Sequence, residues 1–207
     1  SNSTAFVSTM AIIKGTFGRR LADTLTGTAG TDEFWIDNTG DTIINGGRGD
    51  RIVSSINYTL TEGGPSVLTL YGAAQVGIGN SDANIIAGNA KNNFINGGGG
   101  MDELWGGAGA DTFVFDRLGD FNADFIGDFN RAEGDRIALS GAAFGLAVGT
   151  QLGYSVGVAV GSGPQVIRQD AGLFFDPDGV GAGKAVAFAA INASAWTTLD
   201  ASAFAVI

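Results

Sequence analysis

The chain has 207 residues, and 35 of them are glycine, about 17% where roughly 7% is ordinary. Hydrophobic residues make up 44% and charged residues only 15%, with 11 Lys and Arg against 21 Asp and Glu for a net charge of −10. That sign argues against nucleic acid or an anionic membrane as partner and favours cations. With neither Cys nor His present, disulfides, thiol nucleophiles, Cys/His zinc sites and His-based catalysis are excluded.

In chain order, residues 1–17 show no basic segment ahead of an apolar run, so no secretory leader is visible. They are expected to cap one end of the fold. Lys14, Arg19 and Arg20 form a small basic cluster that reads as solvated surface or, as the alternative, as a contact for an anionic polymer. Over 18–53 a repeat sets in: Asp23, Asp32, Asp41 and Asp50 are spaced by nine, and Leu25, Phe34, Ile43 and Ile52 follow each by two. GTAGTDEFW at 27–35 is regular, whereas IDNTGDTII and NGGRGDRIV keep the Asp and the apolar position with glycines lost or shifted. Residues 54–78 connect to a second array at 79–123. There the blocks read GNSDANIIA, GNAKNNFIN, GGGGMDELW and GGAGADTFV, placing Asn84, Asn93, Asp102 and Asp111 at the same step, with Asp120 one step further. Ile86, Ile95, Leu104 and Phe113 are the apolar positions.

A period of nine fits half a coil, a glycine-rich turn followed by a short strand with one inward side chain. Two halves make an 18-residue coil, and stacked coils pair as parallel strands about 4.8 Å apart. The expected fold is therefore all-β, a right-handed parallel β-roll. Turn partners on one edge lie 18 apart, as with Asp23 and Asp41, Asp32 and Asp50, Asn93 and Asp111, or Asp102 and Asp120. Carboxylates one coil apart repel by about 0.8 kcal/mol in water and about 3 kcal/mol at an effective dielectric of 20. A cation between them removes that cost. Calcium takes six to eight carboxylate and carbonyl oxygens, which such turns offer, while magnesium demands stricter octahedral geometry. The competing reading makes the Asp residues ordinary turn formers. Asn84 and Asn93 each lack a charge, which weakens calcium there.

The run GGGGMDELWGGAGADTFVFDRLGD at 97–120 resembles the RTX, or hemolysin-type calcium-binding, repeat proteins. DFIGDFNRAEGDRIALSG at 124–141 looks like the segment after the repeats in serralysin-type metalloproteases and other type I secretion substrates. INYTLTEGGPSVLTLYGAAQVGIGNSDANIIAGN at 57–89 is similar to segments between RTX arrays. The resemblance implies calcium (Ca2+) in the turns and export through a type I secretion apparatus that reads a C-terminal signal. It implies side-chain ligands at Asp32, Asp41, Asp50, Asp102 and Asp111, terminal ones at Asp23 and Asp120, and carbonyl ligands at Gly97, Gly99, Gly106 and Ala108.

Residues 124–207 are expected to form a largely antiparallel β cap bearing the secretion signal. Asp124, Asp128, Glu133 and Asp135 read as surface-turn residues with a capping role. The uncharged stretch between Arg136 and Arg168 repeats glycine every fourth residue, as transmembrane helices do. It is too dilute in Leu, Ile and Phe to span a membrane, so strands and loops are expected. Asp176-Pro177-Asp178-Gly179 opens like an EF-hand loop, but position 12 is Ala187 and not Glu, which leaves a plain turn or, as the alternative, an extra single calcium site. Trp35 and Trp105 follow inward residues and so face outward, packing on a flanking segment or gripping polysaccharide. No carboxylate pair stands out as catalytic. The functional expectation is a non-catalytic, secreted calcium module, part of a larger exported protein. The alternative is a self-standing extracellular or cell-surface adhesive protein that binds polysaccharide.

Overall fold

The computed structural model describes residues 10–16, 21–119 and 123–207. Asp120, Arg19, Arg20 and most of the expected N-terminal cap lie outside the described residues. Strands follow the repeat: β1 (Ala11–Lys14), then β2 (Thr24–Thr26), β3 (Asp32–Ile36), β4 (Thr42–Ile44) and β5 (Arg51–Ser54) in the first array. The connecting segment holds β6 (Tyr58–Thr59), β7 (Val67–Leu70) and β8 (Val76–Ile78). The second array forms β9 (Ile85–Ala87), β10 (Phe94–Asn96), β11 (Glu103–Trp105) and β12 (Thr112–Phe115). After it come β13 (Asp124–Ile126), β14 (Arg136–Leu139) and a one-turn helix α1 (Gly141–Phe144). The chain then runs through β15 (Gly153–Val156), β16 (Gln165–Gln169), β17 (Gly172–Asp176), β18 (Val186–Ile191) and β19 (Phe204–Val206).

Odd-numbered strands from β1 to β13 build one long parallel sheet, and even-numbered strands from β6 to β14 build the facing one. Alternate strands therefore fall on opposite faces, which is a parallel β-roll. Pairings such as Phe34 with Ile52, Ile86 with Leu104 and Ile95 with Phe113 realise the 18-residue coil. One inward row runs Ile13, Phe34, Ile52, Leu68, Ile86, Leu104, Ile126 and Ile191 across the long sheet. Opposite it, Ile95, Phe113, Ile137 and Phe204 form a second row. Each fully buried Leu, Ile or Phe contributes about 1.5–3 kcal/mol, so these two rows carry the fold. The facing sheet is interrupted: β2 and β4 pair alone, and a cavity of about 290 Å³ lined by Asp41, Ile43, Tyr58 and Pro65 separates β4 from β6.

Beyond the second array the coil lengthens. Leu104 pairs with Ile126 and Phe113 with Ile137, steps of 22 and 24 residues. In the C-terminal part β17 is antiparallel to both β16 and β18, but β15 is parallel to β16, so the cap is of mixed pairing and not largely antiparallel as expected. It joins the roll through parallel pairs, β18 on β13 and β19 on β14. Phe144 meets Phe175 and Phe188 edge-on at 5.1 and 6.0 Å, locking α1 over this cap. At the other end β1 is a further parallel strand on β3. The uncharged stretch folds as strands and loops, and among the described residues no helix is long and apolar enough to cross a membrane.

Candidate metal centre

Each turn Asp or Asn sits just before an inward strand, which fixes its side chain on one edge of the roll. The main chain of most is tied to the next coil, while the Asp41 and Asp50 N–H groups turn back to the Asn38 and Gly47 carbonyls. The N–H groups of Asp23, Asp32, Asn84 and Asn93 donate to Oδ1 of Asp41, Asp50, Asp102 and Asp111 at 2.7–2.9 Å. Of the predicted 18-residue partners, Asp23 and Asp41, Asp32 and Asp50, and Asn93 and Asp111 thus meet, as carboxylate-to-backbone ladders, whereas Asp102 is paired with Asp124 and not with the expected Asp120, which lies outside the described residues.

Beyond those ladders the two arrays diverge. In the first, every remaining carboxylate oxygen is engaged within the fold. Asp32 Oδ2 accepts from the Thr28 N–H at 2.6 Å, and Asp50 Oδ2 from the Gly47 N–H at 2.6 Å. Asp41 Oδ2 accepts from Asp37 and Asn38, and Asp23 Oδ2 from Thr16. Asn84 and Asn93 behave likewise, their Oδ1 atoms accepting from the Asn80 and Asn89 N–H groups. Asp102 and Asp111 differ: each is about 98–99% buried, and each has an Oδ2 with no hydrogen-bond partner. Asp82, paired through Oδ1 with Arg48 at 2.7 Å, has a third such buried oxygen.

Backbone conformation accounts for the difference. Gly98, Gly100, Gly107 and Gly109 have φ of +87°, +105°, +90° and +115°, so left-handed glycines alternate with Gly99 and Ala108. Only glycine adopts this without strain. Among the described residues the first-array turns contain no left-handed glycine, the left-handed position there being Asn45 at φ +59°, and N–H groups of Thr28 and Gly47 fold back onto the Asp. In the second array those donors point elsewhere, the Gly99 N–H to the Asn80 carbonyl and the Gly98 N–H to Asn96 Oδ1. A Cβ on Gly97 or Gly106 would collide with Oδ2 of Asp102 or Asp111. One on Gly79 or Gly88 would strike the Gly97 or Gly106 carbonyl together with Asn84 or Asn93 Oδ1. Glycine keeps these oxygen-lined spaces open.

Burial, the largest influence, pushes the Asp102 carboxyl up to about 7, against the Asn84 N–H, the neighbouring Asp124 carboxyl group as hydrogen-bond partner and Arg117, which lower it. Burial likewise pushes Asp111 up to about 6, with Asp135, Asp128 and Glu133 adding to the rise. Asp124 reaches about 8 through burial and then the neighbouring Asp102 charge. Negative charge is concentrated here, eased by Arg117 at Asp102 and made worse by neighbouring acids at Asp111, a costly arrangement unless an ion completes it. The donors are carboxylate, amide and carbonyl oxygens, the set calcium prefers. Among the described residues no group of three carboxylates converges as a ready-made site. An ion would therefore draw on one or two carboxylates plus main-chain carbonyls.

Two ligand-row residues escaped the sequence reading. Asp124 and Asp135, expected as surface-turn residues, are 4% and 2% exposed and continue the two ladders. The Asp102 N–H donates to Asp124 Oδ1 at 3.0 Å, and the Asp111 N–H to Asp135 Oδ1 at 2.9 Å. The signal was available in Asp124-x-Ile126 and Asp135-x-Ile137, which keep the Asp-to-apolar spacing while the turns before them lengthen. Asp176 and Asp178 cap their own turn, accepting from Asp178, Gly179 and Gly183 N–H groups. Trp35 lies between Tyr71 and the Lys14 ammonium, and Trp105 lies across Gly127.

Fold and site together define a parallel β-roll whose acidic, glycine-opened turns suit a hard cation. Residues 78–113 match the RTX calcium-binding nonapeptide repeat in four copies, so this stretch of the chain is similar to calcium-binding RTX arrays. The match contains Asn84, Asn93, Asp102 and Asp111, and it ends before Asp124 and Asp135. No curated protein matches the chain.

Proposed function

We propose that the chain is the calcium-folded, non-catalytic module of a secreted protein, exported unfolded by a type I apparatus through its C-terminal segment. The buried, unpartnered Oδ2 atoms of Asp102 and Asp111 carry this reading. Calcium stabilises the roll by neutralising them, and without calcium their charges oppose stacking of the second array. Extracellular calcium modules bind at roughly 10⁻⁴–10⁻³ M, above cytosolic levels, so the roll closes outside the cell. The C-terminal strand supports this order of events. β19 is paired with β14, and Phe204 and Val206 are buried, so an export machine reaches this segment only before folding. A calcium titration followed by circular dichroism tests the reading, with magnesium as control. A cooperative gain of β signal near millimolar calcium is expected. A chelated protein whose spectrum is already folded and unmoved by calcium would sink it.

A second reading, an extracellular polysaccharide-binding surface, rests on the outer face of the long sheet. Trp105 is 37% exposed with its Nε1 donating to Glu103, and Ile85 and Phe125 flank Glu103 on the neighbouring strands at 43% and 41% exposure. Glycan-array binding lost on Trp105→Ala, with calcium affinity unchanged, separates this role from ion binding.

A further inference from the structure

The dipeptide Asn-Gly occurs twice in the chain, as Asn45-Gly46 and Asn96-Gly97, each time where a strand runs into a repeat turn. It has a chemistry of its own, because glycine carries no side chain to shield its nitrogen. Base removes the proton of the Gly N–H, and the nitrogen bonds to Cγ of the Asn. The side-chain amide nitrogen leaves as ammonia. Water then opens the succinimide ring at either carbonyl, leaving Asp or isoaspartate. The reaction consumes water alone and needs neither oxidant nor cofactor.

The fold treats the two pairs differently. Asn96 is 8% exposed, and its amide is held at both ends. Nδ2 donates to Asp116 Oδ2 at 2.9 Å, and Oδ1 accepts from the Gly98 N–H at 2.9 Å. Asn45 is exposed, with φ of +59°, the left-handed region that Asn enters more readily than other side-chain-bearing residues. The ladder of β4 stops one residue earlier, at the Ile44 carbonyl, which takes the Gly27 N–H at 2.7 Å. Among the described residues neither the Asn45 side chain nor the Gly46 N–H has a hydrogen-bond partner. Packing also holds glycine in the reactive place, since a Cβ on Gly46 would lie 2.6 Å from Ile43 Cγ2. The structure assigns Asn45 as a site of spontaneous deamidation in the folded protein, with Asn96 as its locked counterpart. Isoaspartate at this point adds a methylene to the main chain of the turn that leads to Asp50, whose carboxylate holds the Asp32 and Gly47 N–H groups. The new charge arises next to Gly46, which lines the same cavity as Asp41. The first array is thereby loosened with age where the facing sheet is already interrupted. None of this depends on whether the second array binds calcium.

Ageing the full, folded chain in mildly alkaline buffer tests this, with peptide mapping by mass spectrometry at intervals and melting curves on the same samples. Asn45 is expected to convert at least about tenfold faster than Asn96, because the side-chain hydrogen bonds of Asn96 must open before it reacts. In urea the two should convert at matching rates, which puts the difference in the fold. Asn45→Gly accepts the left-handed turn and has no amide to lose. It should abolish the mass change in that peptide and also the slow fall in melting temperature. Matching rates in the folded chain, or faster conversion at Asn96, overturn the assignment. A gap of the same size in urea assigns the difference to flanking sequence and overturns it too. A melting temperature that still drifts in Asn45→Gly overturns the loosening of the first array.

Discussion

The two arrays share a period, a strand geometry and an Asp or Asn before each inward residue, yet they use the Asp differently. In the first, Asp32 and Asp50 spend both oxygens on backbone N–H groups and on Thr28, and the turns are complete as they stand. In the second, Asp102 and Asp111 each hold one oxygen free in a buried space walled by glycine. A period of nine specifies a β-roll; left-handed glycines at the second and fourth turn positions decide whether the roll also offers a cation site. Ligation by Asp23, Asp32, Asp41 or Asp50 would have to compete with hydrogen bonds already made.

The sharpest way to break this comparison is to fill one cradle in each array. Gly106→Ala puts a methyl group onto Asp111 Oδ2, whereas a Cβ on Gly47 meets nothing nearer than Asp50 Oδ2 at 3.9 Å. Gly106→Ala is expected to remove about 3 kcal/mol of calcium-dependent stabilisation, the amount a ligand at roughly a hundred times its Kd supplies. Gly47→Ala should stay within about 0.5 kcal/mol of wild type. Melting curves with and without calcium decide it, and equal losses at both sites would erase the distinction.

Acidity offers a second, somewhat smaller lever. Asp111, Asp102 and Asp124 have folded-state values of about 6, 7 and 8 against an ordinary 3.8. Raised carboxyl values mean that, between about pH 4 and pH 8, the calcium-free fold binds more protons than the unfolded chain. Stability of the calcium-free protein is therefore present at low pH and lost as pH rises through that window. With calcium the trend reverses, because protons compete with the ion and affinity weakens as pH falls below about 7. Melting temperatures from pH 5 to 8.5 should cross between the two conditions. Parallel curves would mean that the buried acids do not hold the ion.

Much of this was legible from the amino-acid string. The period of nine and the apolar residue two places after each Asp gave the roll, its inward rows and its 18-residue register. What stayed hidden was how each turn spends its hydrogen bonds. Thr28 and Gly47 cap their aspartates through local main-chain geometry that a spacing pattern does not encode. Asp124 and Asp135 were obscured because the turns preceding them lengthen, breaking the period while the strands keep their pairing. The partner of Asp102 is thus Asp124, 22 residues on, in the row where a strict repeat points to Asp120.

The smallest effects test the first array alone. In Asp32→Asn only one side-chain oxygen remains to serve the Thr28 N–H and Thr28 Oγ1, which now reach Oδ2 and Oδ1 at 2.6 and 2.9 Å. The loss should be about 1 kcal/mol, the net worth of one such bond, and it should be the same in calcium and in chelator. Thr28→Val removes the hydroxyl contact and keeps the N–H, so roughly 0.5 kcal/mol is expected, again independent of calcium. Asp111→Asn supplies the contrast, since its cost should appear only when calcium is present. If Asp32→Asn instead shifts the calcium titration midpoint, then that carboxylate gives up its turn for an ion, and the first array binds metal by rearranging bonds that the second array never forms.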